Sequence, residues 1–96
     1  MYSVLVKLSF DIKSKRKWNI KSGYRPLFKI PNNNSMFSGI ITLTKNEELK
    51  QGETCESIVT FLFDKTFINL KINSEIEFYE GPNLIGYAKI KEILEN

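Results

Sequence analysis

Five side chains at every second position open this chain. Tyr2, Val4, Val6, Leu8 and Phe10 fall on one side of an extended segment, Ser3, Lys7 and Ser9 fall on the other, and Leu5 is the exception. Successive side chains of a strand point to opposite faces, so this period of two predicts a strand with one buried face. The period returns along the chain. Phe37, Gly39, Ile41 and Leu43 alternate with Ile40 and Thr42. Cys55, Ser57, Val59, Phe61 and Phe63 alternate with Glu56, Ile58, Thr60 and Leu62, and apolar residues on both faces predict a strand buried on both sides. Ile68, Leu70 and Ile72 repeat the pattern between residues 67 and 72, followed by a strand over residues 76–80 and a last one over residues 84–94.

The punctuation between these runs is that of a β protein. Arg25-Pro26 sets an extended approach to Leu27-Phe28-Lys29-Ile30, because the residue before proline avoids the helical region. Pro31-Asn32-Asn33-Asn34-Ser35 is a turn, and Glu80-Gly81-Pro82-Asn83 is the clearest hairpin turn. Gly86 marks a bulge or a close approach of two backbones. The end of the chain, from Ala88 to Glu95, also fits a helix; we read it as strand because it follows a tight turn and includes Ile85, Gly86 and Tyr87. Alanine occurs once, at Ala88, which disfavours a helical bundle. Six or seven short strands with turns every 8–15 residues imply a sandwich or a small closed barrel. Residues 1–96 form one domain, since 96 residues are too few for two.

Charge divides the chain into halves. Residues 12–46 carry Lys13, Lys15, Arg16, Lys17, Lys21, Arg25, Lys29 and Lys45 and no acid, whereas residues 47–96 carry ten acids against five lysines. The polar run 11–23 reads as a long loop or hairpin tip. Within it, Lys13, Lys15, Arg16, Lys17 and Trp18 group cations with an aromatic, the combination that neutralises phosphates and stacks on an unpaired base. The plainer reading is a solvated hairpin tip with Trp18 folded over the barrel end. Arg25 is a further candidate for partner binding, beside a preferred structural reading in which its donors clamp backbone carbonyls. Tyr24 reads as a packed ring with a bonded hydroxyl.

Enzymatic chemistry has little to draw on. The chain has no histidine, which removes imidazole-based triads and proton shuttles, and with one cysteine it lacks the ligands of a zinc site. Cys55 lies between Glu53 and Glu56, with no activating cation in sequence. Glu75, Glu77 and Glu80 alternate with Ile76 and Phe78 and read as the solvent face of a strand. We therefore expect no catalytic residues, no cofactor, no metal and no bound nucleotide. A lone cysteine permits no intrachain disulfide, the start of the chain does not read as a signal peptide, and no apolar run reaches the ~20 residues of a membrane span; a cytoplasmic protein is expected.

Ser22-Gly23-Tyr24-Arg25-Pro26-Leu27-Phe28 resembles the Gly-Tyr-Arg-Pro-Gln-Phe motif of the third, C-terminal domain of elongation factor Tu. Further likenesses follow in order. Ser38-Gly39-Ile40-Ile41-Thr42-Leu43 looks like that domain's Thr-Gly-x-Ile-x-Leu strand, Gln51-Gly52-Glu53 like its Pro-Gly-Asp, and Ile68-Asn69-Leu70 like its Ile-Ala-Met. Phe78-Tyr79-Glu80-Gly81-Pro82-Asn83-Leu84-Ile85-Gly86 is similar to Ile-Arg-Glu-Gly-Gly-Arg-Thr-Val-Gly. The resemblance implies an all-β, six-stranded antiparallel closed barrel of Greek-key type. It also implies a translation-associated binding role, because in that family the domain touches the backbone of aminoacyl-tRNA and Glu80 and Gly81 match positions on the tRNA side. The chain departs from the family in having no phosphate loop, in placing Tyr79 and Asn83 where the family has arginines, and in its basic run 13–17. The expectation is a non-catalytic binding module for tRNA, another RNA or a translation-associated protein. The alternative is a small protein-binding inhibitor of the immunity or antitoxin kind, and a homodimer through edge strands is compatible with either.

Overall fold

The computed structural model describes residues 1–31, 35–63 and 70–95. Its strands are β1 (Tyr2–Phe10), β2 (Ile20–Lys21), β3 (Leu27–Lys29), β4 (Met36–Leu43), β5 (Glu48–Leu49), β6 (Thr54–Phe61), β7 (Glu75–Glu80) and β8 (Asn83–Glu95). No described residue is helical. Six strands close an antiparallel barrel in the order β1-β6-β4-β3-β7-β8, with β8 returning to β1; β2 and β5 form a separate two-stranded ribbon. β3, β4 and β6 neighbour one another in chain order, and β7 comes back to lie beside β3, which makes the connection a Greek key. Closure leaves none of the six strands with an open edge, so among the described residues an edge-paired dimer has the short β2–β5 ribbon to use.

The period of two is the cause of the barrel. Tyr2, Val4, Val6, Leu8 and Phe10 are all buried, as β1 demands, and they meet Ile41, Val59, Phe61, Ile76, Phe78, Ala88 and Ile90 from the other strands. Phe28 sits at the centre: its ring lies 5.3 Å from Phe61, edge-on at 75°, and 5.5 Å from Phe78. Such aromatic pairs add about 0.5–1.5 kcal/mol each beyond burial of area.

Strand β8 is long because it serves two neighbours. It pairs with β7 over residues 83–89 and with β1 over residues 86–95, and slips in register between Phe78 and Tyr79 and at two points along β1 let it bend to follow both. Gly86 lies at the first slip. A methyl group built there would come 2.0 Å from the Ser9 carbonyl oxygen and 2.9 Å from the Phe78 ring, so the expected close approach is real. The β7–β8 turn is also as expected. Glu80 pairs with Asn83 across Gly81-Pro82, and Gly81 takes φ of 56°, the left-handed value needed at the first central position of a type II′ turn.

Three expectations need correction. β6 is buried on one face only: Ser57, Val59 and Phe61 point inward, Ile58 and Thr60 are half-exposed, and Leu62 is 51% exposed. A single-layered barrel has one interior, and no second layer of the described residues covers this strand's outside. The strand expected over residues 67–72 lies mostly outside the described residues, and its described end is not strand. Leu70 is buried, but Lys71 to Ser74 form a turn in which the Ser74 amide donates to the Lys71 carbonyl at 3.1 Å and Asn73 takes φ of 72°. The run 11–23 is not wholly loop, because Ile20 and Lys21 pair with Leu49 and Glu48.

Candidate functional site

Strands β1 and β7 end, and β6 and β8 begin, at the same end of the barrel. Residues 11–19 leave β1 there and are pinned from several sides. The Asp11 amide donates to the Ile85 carbonyl at 3.0 Å, and the Gly52 amide to the Phe10 carbonyl at 2.8 Å. The Gln51 side-chain amide donates to the carbonyls of Ile12 and Ser14 at 2.8 and 2.6 Å. Inside the loop the Ser14 amide donates to the Asp11 carbonyl, and the Arg16 amide donates to the Ser14 hydroxyl. Buried Ile20, facing buried Leu49 across the β2–β5 ribbon, anchors the far end. A polar loop held in this way keeps one conformation at low cost on binding.

The side chains of the basic run divide into two groups. Arg16 turns inward, with a side chain only 16% exposed. Its guanidinium pairs with the Glu80 carboxylate at 2.5 Å, donates to the Asn19 carbonyl at 3.2 Å, and stacks 4.2 Å above the Tyr24 ring. The Tyr24 hydroxyl donates to the same Glu80 oxygen at 2.6 Å. Arg16 therefore acts as the clamp that sequence reading gave to Arg25. Arg25 itself is exposed and bonds to none of the described residues, because the chain turns its side chain away from the packed Tyr24 and buried Pro26 on either side. Lys13, Lys15 and Lys17 are exposed and form no ion pair with any described residue, and Trp18 is 73% exposed.

Burial first, then the hydrogen bond to Glu80, pushes the Tyr24 phenol well above its usual range, so Tyr24 stays a donor. Burial opposes the charge on Glu80, but the hydrogen bonds from Tyr24 and Arg16 and the Arg16 charge outweigh it and hold the carboxyl below its ordinary value. A second acid is engaged nearby. Glu48 accepts from the Asn19 side-chain amide at 2.9 Å and pairs with Lys21 at 3.5 Å; Asn19 is the main reason its carboxyl is lowered. Both ion pairs among the described residues thus join a cation of the basic half to an acid of the acidic half.

Two open clefts flank the indole. One, of about 470 Å³, lies between Trp18, Lys21, Tyr24 and Glu48; the other, of about 240 Å³, between Lys15, Lys17, Trp18 and Asn83. Glu80 reaches the second cleft through the Arg16 pair, and Gly81 sits in the adjoining turn. The structure thus brings Lys15, Arg16, Lys17, Trp18 and Glu80 together, with Lys13 in the same pinned loop, and Arg25 lines neither cleft. Sequence reading did not single out Asn19, Lys21, Glu48 or Gln51 as site residues, although it counted Lys21 in the basic half and matched Gln51 in the family likeness. The one signal available was the lone apolar Ile20 and Leu49 inside polar runs, which here mark the ribbon's buried pair.

The other candidates gather no site. The Cys55 thiol is half-buried and lies 3.4 Å from the Ser57 hydroxyl. Glu77 accepts from the Tyr79 hydroxyl at 2.8 Å, and no three potential metal ligands converge among the described residues.

The chain matches no family model and no curated protein. Fold and surface alone define its class: a closed six-stranded antiparallel barrel with a pinned basic loop and an exposed indole at one end.

Proposed function

We propose that this protein is a non-catalytic, cytoplasmic RNA-binding module akin to the third domain of elongation factor Tu. The observation that carries the reading is the loop of residues 13–18. Three lysines with no anionic partner among the described residues and a largely exposed indole stand on a backbone already tied down by Gln51, Ile85 and Ser14. Free ammonium groups on a fixed base release counterions from phosphates at small conformational cost. Arg16 and Glu80 build the floor beneath them rather than the contact surface. The Gly-Tyr-Arg-Pro likeness supports a translation-associated RNA as the partner, and a sequence without histidine supports binding rather than catalysis.

The test is a mobility shift with mixed tRNA and with unstructured RNA at low salt. The expected result is a complex whose affinity falls steeply with salt and which weakens when Lys13, Lys15 and Lys17 are replaced together by alanine. If wild-type protein shifts neither RNA at low salt, the RNA reading fails and a protein partner, as for an inhibitor of the immunity kind, takes its place.

A further inference from the structure

We infer that the loop selects single-stranded RNA over duplex, with one unpaired base stacked on Trp18 and the flanking phosphates held by Lys15 and Lys17. This rests on the RNA-binding reading and adds the form of RNA and its pose. An indole on a monomeric surface is normally folded down over apolar neighbours, and the sequence allowed that arrangement here. The structure has the opposite: Trp18 stands 73% exposed as the wall shared by the two clefts, so bases have room beside it. A duplex hides the faces of its bases inside its own stack and would meet this indole with sugar and phosphate edges only. A single strand offers a base face at every step.

The charge pattern fits the same pose. Lys15 and Lys17 flank the smaller cleft beside Trp18, while Arg16 between them turns down to Glu80 and Tyr24. Alternation thus sends two cations outward next to the ring. In the larger cleft Lys21 is paired to Glu48, so the free cations gather on the Lys15–Lys17 side. The strand is accordingly expected to run its backbone along the smaller cleft, with the base turned to the indole. Stacking on an aromatic side chain tolerates any base, so sequence preference is expected to be weak.

Trp18 is the only tryptophan, so its own fluorescence reads the contact. Wild-type protein is titrated at low salt with a short oligouridylate and with a duplex RNA of the same length. The expected result is quenching and tighter binding with the single strand. By mobility shift, which does not need the indole, Trp18→Ala is expected to weaken the single strand at least about fivefold, with Trp18→Phe recovering part of the loss and duplex binding little changed. Lys15→Ala and Lys17→Ala are each expected to flatten the salt dependence of single-strand binding by about 0.7 in log–log slope. Folding of the variants is checked by far-ultraviolet circular dichroism; the exposed positions of all three side chains leave the barrel intact. If single strand and duplex bind equally and Trp18→Ala changes neither, the stacking inference is overturned while RNA binding stands. If neither RNA binds, both fall.

Discussion

Arg16, Tyr24 and Glu80 join three separate stretches of chain through one carboxylate oxygen and one stacked guanidinium. Neutralising that carboxylate leaves an amide oxygen to accept from Tyr24 but deprives a mostly buried cation of its counter-charge. Glu80→Gln is expected to cost about 1 kcal/mol in urea unfolding, a modest figure because the Glu80 side chain is 43% exposed and water screens the pair. The pH dependence follows from the two shifts. Glu80 titrates lower in the folded than in the unfolded chain, so its stabilisation is complete above its ordinary value of 4.5 and is lost as pH falls through the folded value. Tyr24 titrates higher when folded, so its contribution is complete below 10.0 and is lost as pH rises through the folded value. Unfolding midpoints measured across pH are expected to show a shallower acid limb for Glu80→Gln and a shallower alkaline limb for Tyr24→Phe. None of this clamp was legible in sequence beyond a bonded Tyr24 hydroxyl. Arg16 and Glu80 lie far apart along the chain, and nothing local to residues 13–17 says which cation turns inward.

At the scale of elements, alternation named most strands and their inward faces correctly. It named β1 in full, β4 and β6 nearly so, and β8 against a competing helical pattern. Strand wins at the C-terminal end because β1 offers a ladder from Ser3 to Phe10 that a helix could not use. What local pattern missed were elements of two residues: β2 and β5 each carry one buried side chain, too few to show a period. The β1–β8 contact gives the sharpest test. Gly86→Ala forces a methyl against the Ser9 carbonyl oxygen, where backbone must move, and is expected to cost about 2–3 kcal/mol by urea unfolding.

The molecule as a whole rests on a small core. A domain of 96 residues has about 5–15 kcal/mol of net stability. Phe28 is fully buried against Phe61 and Phe78, and truncating it removes about 3–5 kcal/mol. Phe28→Ala is therefore expected to leave a substantial unfolded fraction at physiological temperature, seen as a strongly lowered and broadened thermal transition. The two-way split of charge along the chain is not a split of the surface. Folding brings Arg16 to Glu80 and Lys21 to Glu48, leaving Lys13, Lys15 and Lys17 as the part of the basic run that pairs with no described acid.

Side-chain alternation by itself determined the long strands β1, β4 and β8 and which of their faces turn inward, because a strand's two faces are set by residue parity alone. The turn at Gly81 and the close approach at Gly86 were equally local, since each depends on a residue without a side chain. Only tertiary structure decided which strands became neighbours, that the sheet closed, that β6 kept one face to solvent, and that Arg16 rather than Arg25 became the clamp. Those outcomes depend on contacts between residues distant in the chain, and such contacts form only when the whole barrel does.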